Sequence, residues 1–171
     1  MDTPKDTPKG VHTAPPGTVP KPAGLRLHAL DAEDLAVLSA HMQDSLARVG
    51  DIAYLPAKRR FALAAARFDW EAETDGRRER VRSGLHFEGV TRVRQRGVAR
   101  ERPEEILSLL AIAFEAGETP PAGVVRLVFS GGASILLDVE CVEAQMRDLG
   151  PRWPVSCCPC HDLDENADGG P

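Results

Sequence analysis

The stretch Ser-Cys-Cys-Pro-Cys-His-Asp-Leu-Asp, residues 156–164, sets three of the chain's four cysteines within four positions and beside a histidine. Thiolate and imidazole are zinc ligands, and Cys157, Cys160 and His161 supply one C-x-x-C pair with a neighbouring nitrogen. A structural zinc site takes four ligands in a tetrahedron, usually from two such knuckles, and the second knuckle is missing. Cys141 would have to come from a different element, and Asp162 would add an oxygen. Ligands crowded on one short loop compete for the same side of a metal. The expectation is an exposed tail that binds soft metals adventitiously, with no resident cofactor. A redox role is not expected either, because C-x-x-C thiols are activated at a helix N-terminus and the proline-rich flanks offer none.

Arginine forms the second constellation. Arg80 and Arg82 lie in one strand-like run, Arg92, Arg94 and Arg96 in the next. On the outer face of neighbouring strands they would make a positive patch able to hold phosphates, with binding steeply dependent on salt. The competing reading is that arginine on a wet strand face keeps edges from pairing, and no aromatic residues are interleaved for base stacking. Gly131-Gly132 lacks the strand-to-helix context of a phosphate-cradling loop and reads as a hairpin turn. Ser130 and Ser134 have no Gly-x-Ser-x-Gly frame. The carboxylates Glu104-Glu105 and Asp138/Glu140 read as a turn start and as solvated positions.

Composition narrows the classes. The 171 residues are 42 % hydrophobic and 27 % charged, with a formal net charge of −5. That is an ordinary globular balance, with no global field drawing the protein to nucleic acid or anionic lipid. No apolar run approaches the roughly 20 residues that span a bilayer, so no membrane partner is expected. The N-terminal stretch has no apolar core of a signal peptide. The expected compartment is the cytoplasm, where cysteines stay reduced.

The elements that would position these residues follow from pattern. Residues 1–24, rich in Pro, Thr, Gly and Lys, read as a disordered arm. A single domain is expected over 25–153, with a flexible tail at 154–171. Leu25, Leu27 and Ala29 alternate as in a strand. Asp31 and Asp34 then suit the start of a helix, whose inner stripe is Leu35, Leu38 and Met42. His41 sits at the boundary of that stripe. From residue 46 to 140 the period is two. The runs Leu46–Leu55 and Arg60–Trp70 flank a turn at Pro56. Val81, Ser83, Leu85 and Phe87 share a face, and Ile106–Ala116 reads as apolar on both faces, hence central. Val142, Met146 and Leu149 are spaced as in a helix ending at Gly150. Short turns favour antiparallel neighbours, and a sheet of many twisted strands curls. The predicted fold is α+β: a strongly bent antiparallel sheet or split barrel of about six to eight strands, with an N-terminal helix and a C-terminal capping helix. That element order is pleckstrin-homology-like by analogy.

The segments around Leu27–Glu71, Leu85–Val98, Leu107–Glu118 and Leu127–Trp153 resemble a family of small proteobacterial proteins, domain-of-unknown-function family 2948. The resemblance covers roughly residues 25–161. It implies a compact cytosolic bacterial protein and assigns no catalytic residue. The family's pattern after Trp153 has a proline and a histidine but not this cysteine cluster, so the resemblance gives Cys157, Cys158 and Cys160 no role. Catalysis leaves an acid, base or nucleophile constellation; none is legible, and the residues lean against an enzyme. The expected function is a non-enzymatic binding module acting through a protein or small-ligand surface. The alternative is an RNA- or phosphate-binding protein that uses the arginine face.

Overall fold

In the computed structural model, which describes residues 24–156, the first alternating stretch forms β1 (Arg26–Ala29). Asp31 opens α1 (Ala32–Met42). Its carboxylate accepts from the Asp34 N–H at 2.9 Å, and Asp34 reaches back to accept from the Leu30 N–H at 3.1 Å. The first bond satisfies a donor that the first turn leaves unpaired, and the second ties down the residue just before the cap. Leu35, Leu38 and Met42 are all buried.

From Ser45 onward, alternation builds strands. β2 (Ser45–Leu55) turns through Pro56–Lys58 into β3 (Arg60–Phe68), with Arg59 left-handed at φ 48°. A short helix, α2 (Trp70–Thr74), precedes β4 (Glu79–Phe87) and β5 (Val90–Arg96). β6 (Ile106–Ala116) and β7 (Gly123–Phe129) follow. β8 (Ser134–Val139) comes next, across a turn in which Gly131 and Gly132 take φ 71° and 77°. β9 (Ala144–Pro154) ends the described chain. Every pairing is antiparallel, in the order β1-β9-β4-β3-β2-β6-β7-β8-β5.

That order requires curvature. Only Glu88 and Gly89 separate β4 from β5, so the two strand ends lie within about 11 Å. In a flat sheet, six strand spacings would hold them about 29 Å apart. The sheet therefore wraps round. Two bonds mark the seam: Val90 N–H to the Arg59 carbonyl at 2.8 Å and the Tyr54 hydroxyl to the Val90 carbonyl at 3.2 Å. β1 and β5 remain as its edges, so it curls without closing. The inside is filled by alternate side chains such as Phe61, Leu85, Leu127 and Ile135. Helix α1 lies against β6 and β1, and its Ser39 Oγ accepts from the Ile112 N–H at 2.8 Å.

Two expectations are corrected. The C-terminal capping helix is instead β9, which makes the described strands nine rather than six to eight. Val142, Met146 and Leu149 mimic helical spacing, but Ala144, Met146 and Asp148 face inward while Leu149 faces out. A charged residue at an inward position hid the period of two. With that helix goes the element on which the pleckstrin-homology analogy rested. The strand expected to run to Trp70 stops at Phe68, because Asp69 caps α2 by accepting from the Ala72 N–H at 3.4 Å. β6 is central and apolar on both faces, as expected: Leu107, Leu109 and Ile112 are buried, and Ile106 and Leu110 are exposed on the other face.

Candidate functional site

Along β3, Phe61, Leu63, Ala65 and Arg67 take successive inward positions, so alternation drives a guanidinium into the interior. Arg67 is fully buried and grips Asp148 of β9 with two parallel bonds, Nε to Oδ1 at 2.8 Å and Nη2 to Oδ2 at 2.9 Å. Ser83 Oγ of β4 donates to Asp148 Oδ1 at 2.7 Å, and the Leu25 N–H donates to Oδ2 at 2.9 Å. Burial alone would raise the Asp148 carboxyl, but the bonds from Arg67 and Ser83, the Arg67 charge and the Leu25 amide together hold it below the usual carboxylate range. Beside it, Arg152 donates from Nε to Asp69 and lies 3.7 Å from Asp148. Asp69's hydrogen bond and charge raise the Arg152 guanidinium further, against its own partial burial. Two arginines and two aspartates thus satisfy one another and clamp β9 to β3 and β4. The arrangement is internally complete and positions the outer surface of the same strands.

That outer surface carries a groove of about 480 Å³. Its floor is small: Ala53 on β2, Ala62 and Ala64 on β3, and Gly84 on β4. Alanine and glycine are depleted in strands because they offer little to pack, and here their outward positions leave a depression. Leu149 leans over Gly84, where a Cβ would lie 3.1 Å from its Cδ1. Two registered rows cross the floor. In the first, His28 pairs with Gln145, Gln145 with His86, and His86 with Ala62. In the second, Arg26 pairs with Arg147, Arg147 with Gly84, and Gly84 with Ala64.

A bulge in β2 completes the groove. Inward positions run Ser45, Ala47, Val49 and then Ile52, so the strand changes phase, and its register with β3 shifts between Ala47 and Ile52. The change turns Asp51 and Ala53 to the outside. Asp51 is tied to Arg82 at 3.2 Å. His86 Nε2 lies 3.5 Å from Glu88. Burial, with the charges of Arg60 and His28, pulls the His86 imidazole below its usual range against Glu88 and Glu143, leaving it uncharged at neutral pH. An adjoining hollow of about 240 Å³ shares Asp51 and Ala64 and is walled by Leu46, Ile106 and Trp153. The surface offers guanidinium donors, imidazole nitrogens and an amide above an apolar floor: the chemistry of holding a ligand.

The arginines singled out in the sequence are not brought together. β4 and β5 are not neighbours in the sheet. Arg80 folds back to donate from Nη1 to the carbonyls of Asp44 at 3.0 Å and Ala66 at 2.8 Å, and burial lowers its pKa against the Asp44 charge. Arg82 pairs with Asp51, and Arg94 with Asp138. Arg92 and Arg96 lie exposed on the edge strand β5. Cys157, Cys158, Cys160 and His161 lie outside the described residues. Cys141 sits half-buried between β8 and β9 with a free thiol. Among the described residues no three His, Cys, Asp or Glu side chains are placed to share a metal ion, and no helix is long and apolar enough to cross a membrane. His41 borders a hollow of about 320 Å³ with Trp70, and there His41 Nδ1 and Trp70 Nε1 are buried without a hydrogen-bond partner.

Sequence reasoning missed Arg67, Asp148 and the groove. Arg67 in phase with Phe61, Leu63 and Ala65 was a legible signal of a buried charge needing a partner. Ala62, Ala64 and Ala66 on the opposite phase were a legible signal of a bare sheet face.

No curated protein and no solved structure matches this chain. A family model described as "Protein of unknown function (DUF2948)" matches residues 25–161, and the chain belongs to that family.

Proposed function

We propose that the domain is a non-enzymatic binding module whose ligand surface is the groove on the outer face of β1, β9, β4, β3 and β2. The observation that carries this reading is the alanine and glycine floor, open to solvent and bordered by Arg26, Arg147, His28 and His86. A volume of about 480 Å³ falls in the range that takes a small molecule, and a few polar groups around an apolar floor are what such sites use to orient one. The rest of the fold serves rigidity: the floor is backbone in a paired sheet, and the buried Arg67–Asp148 clamp fixes β9, which carries Gln145 and Arg147. The groove's side chains bind and orient; its imidazoles face no hydroxyl or thiol nucleophile among the lining residues. A cytoplasmic setting belongs to the same reading, since it keeps Cys141 and the cysteines near the C-terminus reduced.

The test is amide-shift mapping of the isotope-labelled full chain against citrate, pyrophosphate, arginine, ribose and indole, probes that span charge and polarity. The expected result is that at least one perturbs amides clustered at Ala62, Ala64, Gly84 and Gln145. Perturbations clustered elsewhere, or none from any probe, would remove the groove as the ligand surface. A second reading, RNA or phosphate binding through arginine, is favoured by one observation: Arg92 and Arg96 make no ion pair among the described residues and stand exposed on a sheet edge.

A further inference from the structure

We propose that the groove takes a small organic oxyanion of charge −2 or more, held between the guanidinium groups of Arg26 and Arg147; this rests on the groove being the ligand surface. The two arginines are direct cross-strand partners on β1 and β9, which sets their Cβ atoms about 5 Å apart. Like charges directly opposite destabilise a sheet. Among the described residues neither makes an ion pair, although both are exposed and free to find one. The contrast with other outward arginines is plain. Arg48 pairs with Glu104, Arg59 with Glu140, Arg60 with Glu88, and Arg126 with Glu115. At Arg92 and Arg96 the sheet supplies no ion pair either, but the cross-strand partners there are Asp138 and Ser134. At Arg26 and Arg147 it supplies a second guanidinium and an empty floor.

An oxyanion between the two would convert repulsion into two charge-assisted contacts. Each planar guanidinium can meet a carboxylate or phosphate with two parallel N–H···O bonds. Gly84 and Ala64 continue the same row; Leu149 leans over Gly84, so the ligand's skeleton lies against that side chain and along the alanines beyond it. Two residues along the strands, about 7 Å away, the row of His28, Gln145 and His86 offers hydrogen bonds to a hydroxyl or a second acidic group. Asp51, at the far side, is already neutralised by Arg82 and so repels the ligand little. Dicarboxylates, tricarboxylates and phosphorylated compounds share the chemistry that this geometry recognises.

The experiment compares citrate and pyrophosphate with ribose and indole at fixed ionic strength, in the wild-type full chain and in the double variant Arg26→Gln/Arg147→Gln. The expected result is saturable shifts at Arg26, Arg147 and Gly84 with one or both anions, weakened at least tenfold in the double variant. Binding of citrate alone would mark the ligand as a carboxylate, of pyrophosphate alone as a phosphate. Without any probe the double variant should melt no lower than wild type, because it loses only repulsion. Arg147→Lys keeps the charge but not the fork, and should bind with intermediate affinity. Anion binding unchanged in the double variant would overturn the inference. So would ribose or indole occupying the groove while both anions do not, an outcome that leaves the groove itself standing as a ligand surface. No response to any probe would remove both.

Discussion

Replacing Asp148 with asparagine keeps the side chain's shape and removes one charge from inside the sheet. The carboxylate accepts from Arg67 Nε at 2.8 Å, Arg67 Nη2 at 2.9 Å, Ser83 Oγ at 2.7 Å and the Leu25 N–H at 2.9 Å. An amide presents one acceptor oxygen, and its NH₂ then faces donors. The fully buried Arg67 would keep the Phe68 carbonyl at 3.1 Å and Asp69 at 3.9 Å. Removing one partner of a buried pair costs roughly 3–5 kcal/mol. The remaining Asp69 charge places this case near the lower end, about 3 kcal/mol. For a domain of this size that lowers Tm by about 10 °C. Acid supplies an independent check. The folded Asp148 titrates below its unfolded value, so its stabilisation is fully present above the unfolded pKa and is lost as pH falls through the folded one. The gap between wild type and Asp148→Asn should hold steady from pH 7 to about 5 and narrow below about pH 4. Urea denaturation followed by tryptophan fluorescence at each pH reads both effects. A gap under about 1 kcal/mol at neutral pH, or one unchanged at about pH 3, would refute the argument that this pair is a buried clamp.

Leu38 is fully buried on the inner face of α1, so Leu38→Asp should fail to give soluble protein or lose several kcal/mol in a urea melt; wild-type behaviour would contradict the packing of α1 against the sheet. For the arginine reading, Arg92→Gln/Arg94→Gln/Arg96→Gln should reduce retention on mixed cellular RNA and flatten its salt dependence, with stability altered by less than about 0.5 kcal/mol because the Arg94–Asp138 pair is partly solvated. Wild-type protein that binds no RNA at low salt would dispose of that reading without the variant.

Local signals were read well from sequence and non-local ones were not. Asp31 and Asp34, with Leu35, Leu38 and Met42, announce α1 because capping and a helical stripe are written within a dozen residues. Val81, Ser83, Leu85 and Phe87 announce β4 because each alternate side chain is apolar or small. The strand β9 was misread because Asp148, which belongs inside, makes sense only beside Arg67, a residue far away in sequence. The groove depended on that same strand. Ala62 and Ala64 are visible in β3, but Arg147 reaches Gly84 and Arg26 only through the order β1-β9-β4-β3. Once residues 139–150 are taken for a helix, the rows across the groove cannot be assembled. Helix α2, at five residues, is too short to show a stripe and rests on its Asp69 cap.

The claim that the outer groove is the ligand surface is tested most directly by filling it. Ala62 points outward from the floor in the row of His86, and a phenylalanine there suits a strand while filling the depression beside that histidine. Wild type and Ala62→Phe should be titrated side by side with whichever of citrate, pyrophosphate, arginine, ribose or indole gives saturable shifts. The account predicts at least a tenfold loss of affinity in Ala62→Phe, with a melt within about 3 °C of wild type, a change of less than about 1 kcal/mol. Equal affinity in the filled variant would contradict it.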